Sequence, residues 1–187
     1  MTTQILGNVF EHYEEIDSTQ TEIHRRIEKC KIQNGTIIMA DRQTNGKGTH
    51  GRVWHTGNEN NIAFSFYIET ECEPQKLEGI TIEIAQILIQ ISEEKYGINL
   101  QIKAPNDLYY NGKKVGGILT ESKIVGQKTK YIVVGIGINT NSKNFSDDIK
   151  NIATSIKKEF DIDVDNLFIV NEFCKIFEKR LMKRIEE

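Results

Sequence analysis

The sequence predicts an α+β fold: a mixed, largely antiparallel β-sheet flanked by α-helices. Three observations lead there. Up to residue 97 the apolar periodicity reads strand, helix, strand, strand, helix; from 98 to 140 it breaks into short β-rich runs separated by turns; and the last forty or so residues end in a helical apolar stripe. Consecutive strands after such a start suit a mixed sheet with helices packed on it better than a regular alternating α/β fold. At 187 residues the chain can bury one good core, and roughly 100–200 residues per domain makes a single domain over 1–187 the expectation. Its core should span about 9–145 and a helical segment about 146–187.

Val9 to Ile16 has strand composition and runs into Asp17-Ser18-Thr19, a set of helix N-cap residues, with Glu22 three beyond Thr19 as a capping box requires. The helix that follows should reach about Lys31 before Asn34-Gly35 breaks it, and Thr36 to Ala40 reads as a short buried strand. Asn61 to Glu69 places Ile62, Phe64, Phe66 and Ile68 on one face, the pattern of a half-buried strand. Pro74 sits where a helix can begin, and Leu77, Ile80, Ile84, Ile87, Leu88 and Ile91 give an amphipathic helix that Gly97 ends. Asn111-Gly112 and Val125-Gly126-Gln127 are turn signals that make 107–139 an antiparallel meander. Leu167, Val170, Phe173, Phe177, Leu181 and Ile185 form the closing helical stripe.

Composition excludes several classes. Hydrophobic and charged contents of 38% and 27% are those of an ordinary water-soluble chain, and no apolar run approaches the ~20 residues a bilayer requires. The N-terminus lacks the basic start and apolar block of a secretory signal, so a cytoplasmic location is expected. Cys30, Cys72 and Cys174 are too few and too scattered for a disulfide framework or a Cys-x-x-Cys site. A formal net charge of −3 supplies no basic face for DNA.

Chemistry concentrates in two segments. In Thr44–Trp54, TNGKGTHGRVW, Gly46, Gly48 and Gly51 permit close backbone approach to a ligand, while Lys47 and Arg52 add charge. Arg grips phosphate with two hydrogen bonds, so the combination suits a phosphate or carboxylate; a solvated loop without a ligand is the plainer alternative. Trp54 at its end offers a flat face for an adenine ring or, equally, a core residue. Such a loop is expected to be mobile when empty and to order on a ligand at a cost of roughly 1–2 kcal/mol per residue. The phosphate-loop template fits poorly, because Asp41 stands where its first glycine belongs and Gly48 where Ser or Thr should follow Lys47, and a phosphate-loop NTPase ranks last among the readings. Gly135-Ile136-Gly137 starts a dinucleotide fingerprint, but Thr140 replaces its last glycine. His50 and His55 lack Cys or acidic companions and read as a solvated pair.

In KAPNDLYYNGKKVGGILTES, Pro105 holds Ala104 extended, so Asn106 and Asp107 should emerge from an irregular turn at a strand end. Asp107 could hold Mg²⁺, which takes one or two carboxylates plus substrate phosphates; simple turn formation is the alternative. Gly116-Gly117 inside a strand signals close approach of another group.

Gln43 with GKGTHGRVW, then K-x-PNDL with GKKVGGIL, then GIGIN resemble the biotin protein ligases in order and separation, over about Asp17–Asn141. The resemblance implies the biotin/lipoate ligase, class II synthetase-like catalytic fold, with biotin and ATP as substrates and Mg²⁺ as cofactor. By the same resemblance, Ser18, Thr19, Gln43, Gly46, Lys47 and Gly117 would bind biotin. Lys47, Gly48, Arg52, Trp54, Lys103, Asn106 and Asn139 would hold ATP and the adenylate, and Lys114, Asp107 and Arg52 would carry the chemistry. The implied reaction activates biotin as biotinyl-5′-AMP and transfers it to a lysine of a biotin carboxyl carrier domain. A homodimer paired through an edge strand of the 107–139 meander is implied by several relatives. Two departures stand out: Thr49 replaces the family's Arg, which implies faster escape of the adenylate, and Ala104 replaces its Trp. No DNA-binding domain is expected before residue 9, nor a small β-barrel after Asn141. A lipoate ligase or acyltransferase of the same superfamily, or a module that sequesters biotin without catalysis, are the alternatives.

Overall fold

The computed structural model describes residues 5–56 and 60–186. Seven strands form one sheet in the order β1-β2-β5-β9-β8-β7-β6: β1 Val9–Ile16, β2 Thr36–Gln43, β5 Ile62–Cys72, β6 Gln101–Lys103, β7 Asp107–Tyr110, β8 Lys113–Val125 and β9 Lys128–Ile138. Only β1 and β2 pair in parallel, joined by helix α1, Thr19–Glu28; every other pairing is antiparallel. Two further helices, α2 (Ile80–Tyr96) and α4 (Asn166–Glu186), cover one face, and a short α3 spans Ile156–Phe160. The mixed sheet expected from the sequence is therefore present.

The period-2 alternation of each strand divides the sheet into two unlike faces. Phe64, Phe66, Val134, Ile136 and Ile138 point to the α2/α4 side and join one continuous core with Ile84, Leu88, Phe173 and Phe177. The opposite face carries a small apolar cluster of Ile23, Ile38, Tyr67 and Val133 beneath α1. Central position explains why β5 is not half-buried as its alternation suggested: β2 and β9 flank it, and every residue from Ile62 to Ile68 is buried. The segment over 146–187 contributes to the same core as the strands, because Phe173 of α4 lies 5.8 Å from Phe64, 5.9 Å from Phe66 and 5.3 Å from Phe177 between ring centres.

Local chemistry sets the element ends, with some differences from expectation. Ser18 caps α1 by accepting from the Thr21 amide, but no capping box closes, since Glu22 turns to Arg25 and Arg26. That helix stops at Glu28, short of Lys31. Pro74 opens a 3₁₀ turn over Pro74–Leu77, and α2 starts only at Ile80, after Gly79 at φ 75°. Asn111 and Gly112 both take positive φ, 47° and 77°, as a type I′ hairpin requires. Leu167 of the closing stripe is exposed, being at the start of α4, whereas Val170, Phe173, Phe177 and Leu181 are buried. The Ala104–Pro105 bond is cis.

Truncation of Phe173 to Ala should therefore lower the unfolding free energy by about 3–5 kcal/mol, read from urea titrations; a loss under about 1 kcal/mol would mean that α4 is not part of the main core.

Candidate functional site

A cavity of ≈260 Å³ opens on the sheet face that α1 only partly covers. Its floor is bare because the residues there have little or no side chain. Across the strands β5, β9, β8 and β7, register places Ala63, Gly137, Gly117 and Asp107 in one line, with Ser65 and Gly135 in the next. The Thr44–Trp54 segment is a roof rather than an unstructured loop. It forms a small hairpin of β3 (Gly46–Lys47) and β4 (Val53–Trp54), closed by a 3₁₀ turn over Thr49–Gly51. Trp54 descends from this hairpin onto Gly137, where a Cβ would meet its Cε2 at 2.3 Å. Gly46 is needed one layer up, where a Cβ would stand 2.5 Å from the Trp54 carbonyl oxygen.

At one end of the floor lies a charge pair. Leu108 faces Gly116 while Tyr109 faces Lys114, so Val115 has no opposite number and forms a β-bulge. Without it Lys114 would share the core-facing side with Gly116 and Ile118. With it, Lys114 folds over Gly117 and its Nζ stands 2.7 Å from Asp107 Oδ1. The contact is ionic rather than a well-aligned hydrogen bond, because Oδ1 is buried and no donor meets it at hydrogen-bond geometry. The Lys114 backbone is held from both sides: its N–H donates to Ile152 O and its carbonyl accepts from the Thr154 amide, each at 2.8 Å. Its ammonium also sits 5.8 Å from the Trp54 ring centre. Asn106 is fixed beside the pair by donating from Nδ2 to Ile118 O, while Asn139 donates to Thr154 O.

The other end is polar and uncharged. Gln43 Oε1 accepts from both the amide and the hydroxyl of Thr19, at 2.8 and 3.1 Å, and the Thr19 hydroxyl also meets Ser65 Oγ at 2.8 Å. Gln43 Nε2 retains only a long 3.4 Å contact to Thr56. Arg52 lies along its own turn, bonded to Thr49 O and Oγ1 at 3.3 and 3.2 Å.

The cavity wall thus gathers Thr19, Gln43, Lys47, Gly48, Arg52, Trp54, Asn106, Asp107, Lys114, Gly117 and Asn139, all singled out in the sequence. Ser18, Gly46 and Lys103 stand outside it: Ser18 is fully buried as the α1 cap, Gly46 backs Trp54, and Lys103 is exposed with its Nζ 4.7 Å over the Tyr109 ring. Sequence reasoning missed Gln20, Ser65, Gly135, Gly137, Ile149 and Ile152, which also line the wall. The alternating glycines of GIGIN were the available signal for the floor. Among the described residues no three His, Cys, Asp or Glu side chains converge as a metal cluster; His55 instead lies 4.0 Å from Asp148.

A glycine-floored trough carries a lysine–carboxylate pair at one end and amide and hydroxyl groups at the other, a set of groups chemically suited to a small anionic molecule with a polar head. Residues 13–139 match the sequence model of the Biotin/lipoate A/B protein ligase family, and the chain belongs to that family. It is 34% identical over 182 residues to the bifunctional ligase/repressor BirA of Bacillus subtilis (strain 168), covering 96% of this chain and 56% of that protein. It is 28% identical to the human biotin–protein ligase, spanning 27% of that protein. The biotin protein ligase from Aquifex aeolicus in complex with biotin and ATP superposes with a TM-score of 0.78 at 31% identity, over 96% of this chain and 73% of that one. The chain therefore spans about half the length of its Bacillus relative.

Replacing Gly137 by Ala should expel the ring of Trp54, the sole tryptophan, from its seat. A red-shifted tryptophan emission with little change in melting temperature is expected; an unshifted spectrum would contradict the packing of Trp54 on β9.

Proposed function

We propose that this chain acts as an ATP-dependent biotin–protein ligase, activating biotin as biotinyl-5′-AMP and passing it to a lysine of a biotin carboxyl carrier domain. The observation that carries the reading is the Lys114–Asp107 pair at one end of the trough, with an uncharged donor set about Gln43 at the other. Relatives whose names specify biotin, the human biotin–protein ligase and the Aquifex aeolicus ligase solved with biotin and ATP, support biotin over lipoate.

A carboxylate is a poor acyl donor until its oxygen attacks the α-phosphorus of ATP, forming a mixed anhydride as the bond to pyrophosphate breaks. Lys114 at the floor, with Lys47 and Arg52 in the roof, would neutralise the charge that accumulates on phosphorus oxygens. In the second half-reaction the amine of the acceptor lysine attacks the acyl carbon and AMP leaves with the bonding electrons. An exposed lysine, with a pKa near ~10.4, is neutral in less than about one part in ~10³ at pH 7, so Asp107 is assigned to receive its proton. Trp54 and Asn139 would receive the adenine, and Thr19, Gln43 and the floor at Gly117 the biotin rings. Lining the trough supports these roles; Ser18, Gly46 and Lys103 are proposed only to support the wall.

Asp107 is a single carboxylate already paired with Lys114, and no metal cluster surrounds it among the described residues. These residues fit a Mg²⁺ that arrives with ATP and brings phosphate and water ligands, rather than a resident ion. The surface also leaves one sheet edge open: β7 pairs with β8 only as far as Gly117, so the stretch from Leu119 to Val125 has β9 on one side alone. A second copy of the chain would pair there.

Lys114→Ala should slow single-turnover formation of biotinyl-AMP by about 10²–10³-fold, whereas Asp107→Asn should spare that step relative to transfer onto the carrier; normal transfer by Asp107→Asn would remove Asp107 from the base role. Because Thr49 holds Arg52 back on its own turn, Thr49→Arg should slow release of biotinyl-AMP in a filter-binding chase, and an unchanged off-rate would dissociate adenylate retention from this position.

A further inference from the structure

Lys114 sits where β8 runs out of neighbouring strand. The ladder between β8 and β9 ends with Gly116 opposite Ile138, and the last bond beyond it runs from the Asn139 amide to the Val115 carbonyl at 2.8 Å. From there β9 no longer accompanies β8, so the sheet itself offers Lys114 no backbone partner on that side. An irregular stretch takes the strand's place. The Lys114 N–H donates to the Ile152 carbonyl and the Lys114 carbonyl accepts from the Thr154 amide, each at 2.8 Å, which pairs Lys114 in parallel with Ala153 alone. A strand end with its polar groups open to water frays readily. Here the end is closed at the residue whose ammonium faces Asp107.

A stretch outside any strand or helix needs support of its own, and Thr154 is its fixed point. Thr154 is fully buried and uses its amide, carbonyl and hydroxyl together. The amide serves Lys114, the carbonyl accepts from Asn139 Nδ2 at 3.1 Å, and the hydroxyl donates to Glu159 Oε1 on α3. That helix is docked in turn on the end of β9: the Ile156 and Lys157 amides donate to the Asn139 and Thr140 carbonyls at 3.0 and 2.8 Å. Ser155, its N-cap, is fully buried and donates to the Ser142 carbonyl. Neither Thr154 nor Glu159 lines the trough, so both reach the site only through the backbone they hold.

We infer that Thr154 is a positioning residue for adenylation: anchored by Glu159, it holds the backbone of Lys114 and thereby keeps the ammonium over the floor beside Asp107. The inference rests on the proposed ligase reading. It gives α3, which the cavity wall does not include, a part in the chemistry.

Single-turnover formation of biotinyl-AMP, followed as a function of ATP concentration, tests it with Thr154→Val, Thr154→Ser and Glu159→Ala, each made in wild type and in Lys114→Ala. Thr154→Val and Glu159→Ala should slow the saturating rate by about 3- to 10-fold with half-saturating ATP unchanged, and Thr154→Ser, which keeps the hydroxyl, should recover most of the rate. Glu159 is exposed, so its truncation removes the same bond without disturbing the interior. In the Lys114→Ala background the same changes should cost less than about twofold, because a residue that acts through Lys114 has nothing left to position. A wild-type rate in either Thr154→Val or Glu159→Ala would overturn the inference. So would a rise in half-saturating ATP in place of a slower rate, or the full slowing in Lys114→Ala. Failure of the wild-type chain to form biotinyl-AMP would overturn the ligase reading itself, and shows before any variant is compared.

Discussion

The site depends on the requirement that β9 bury Val134, Ile136 and Ile138 on one face while presenting Gly135 and Gly137 on the other. An antiparallel strand with one face on the core normally carries polar side chains on the other. Here one side of the pleat is stripped to backbone next to the similarly bare Gly117, and the trough is the volume those missing side chains would have filled. The apolar face secures the geometry: with α2 and α4 packed on it, the glycine face stays flat enough for Trp54 to descend on Gly137 and for a ligand to lie beside it. Substitution on the core side would cost stability; on the bare side it would fill the trough.

Charge is then placed by a break in register. The bulge at Val115 moves Lys114 from the core-facing row to the floor-facing row, opposite Tyr109 and beside Asp107. The segment that runs from Ile149 to Thr154 locks that choice, because it bonds both backbone groups of Lys114 and also receives the Asn139 side chain. Lys114, Asn139 and the cavity rim are in this way coupled through one stretch of irregular backbone, although they come from different strands.

Much of this was legible in the sequence where local rules govern. The Asn111-Gly112 hairpin, the Gly97 helix stop and the closing Val170–Leu181 stripe follow from turn chemistry and apolar period. The candidate residues of GKGTHGRVW and PNDL were found because glycine, cation and carboxylate are conspicuous types. The floor is less conspicuous, since Gly135 and Gly137 share the spacing of a dinucleotide fingerprint, and only a pleat turns alternate glycines into one bare face. Nor could the bulge be read: Val115 looks like any strand residue, and only pairing with β7 shows that it has no partner. Ile149 and Ile152 lie in a polar stretch without periodicity, where only tertiary contact reveals their place in the wall. Gln20 is by type an ordinary first-turn helix residue; the arrangement of its amide follows from Glu121, about a hundred residues away, which takes the NH₂ end and leaves Oε1 unfilled.

Joining a biotin carboxylate to AMP is the activity proposed for this trough. The most direct test is exchange of labelled pyrophosphate into ATP by the purified chain with Mg²⁺ present. Exchange should require biotin and should not be supported by lipoate. Biotin binding without any exchange would contradict it and make the chain a biotin-sequestering module; exchange driven by lipoate instead would assign the carboxylate end to a different acid.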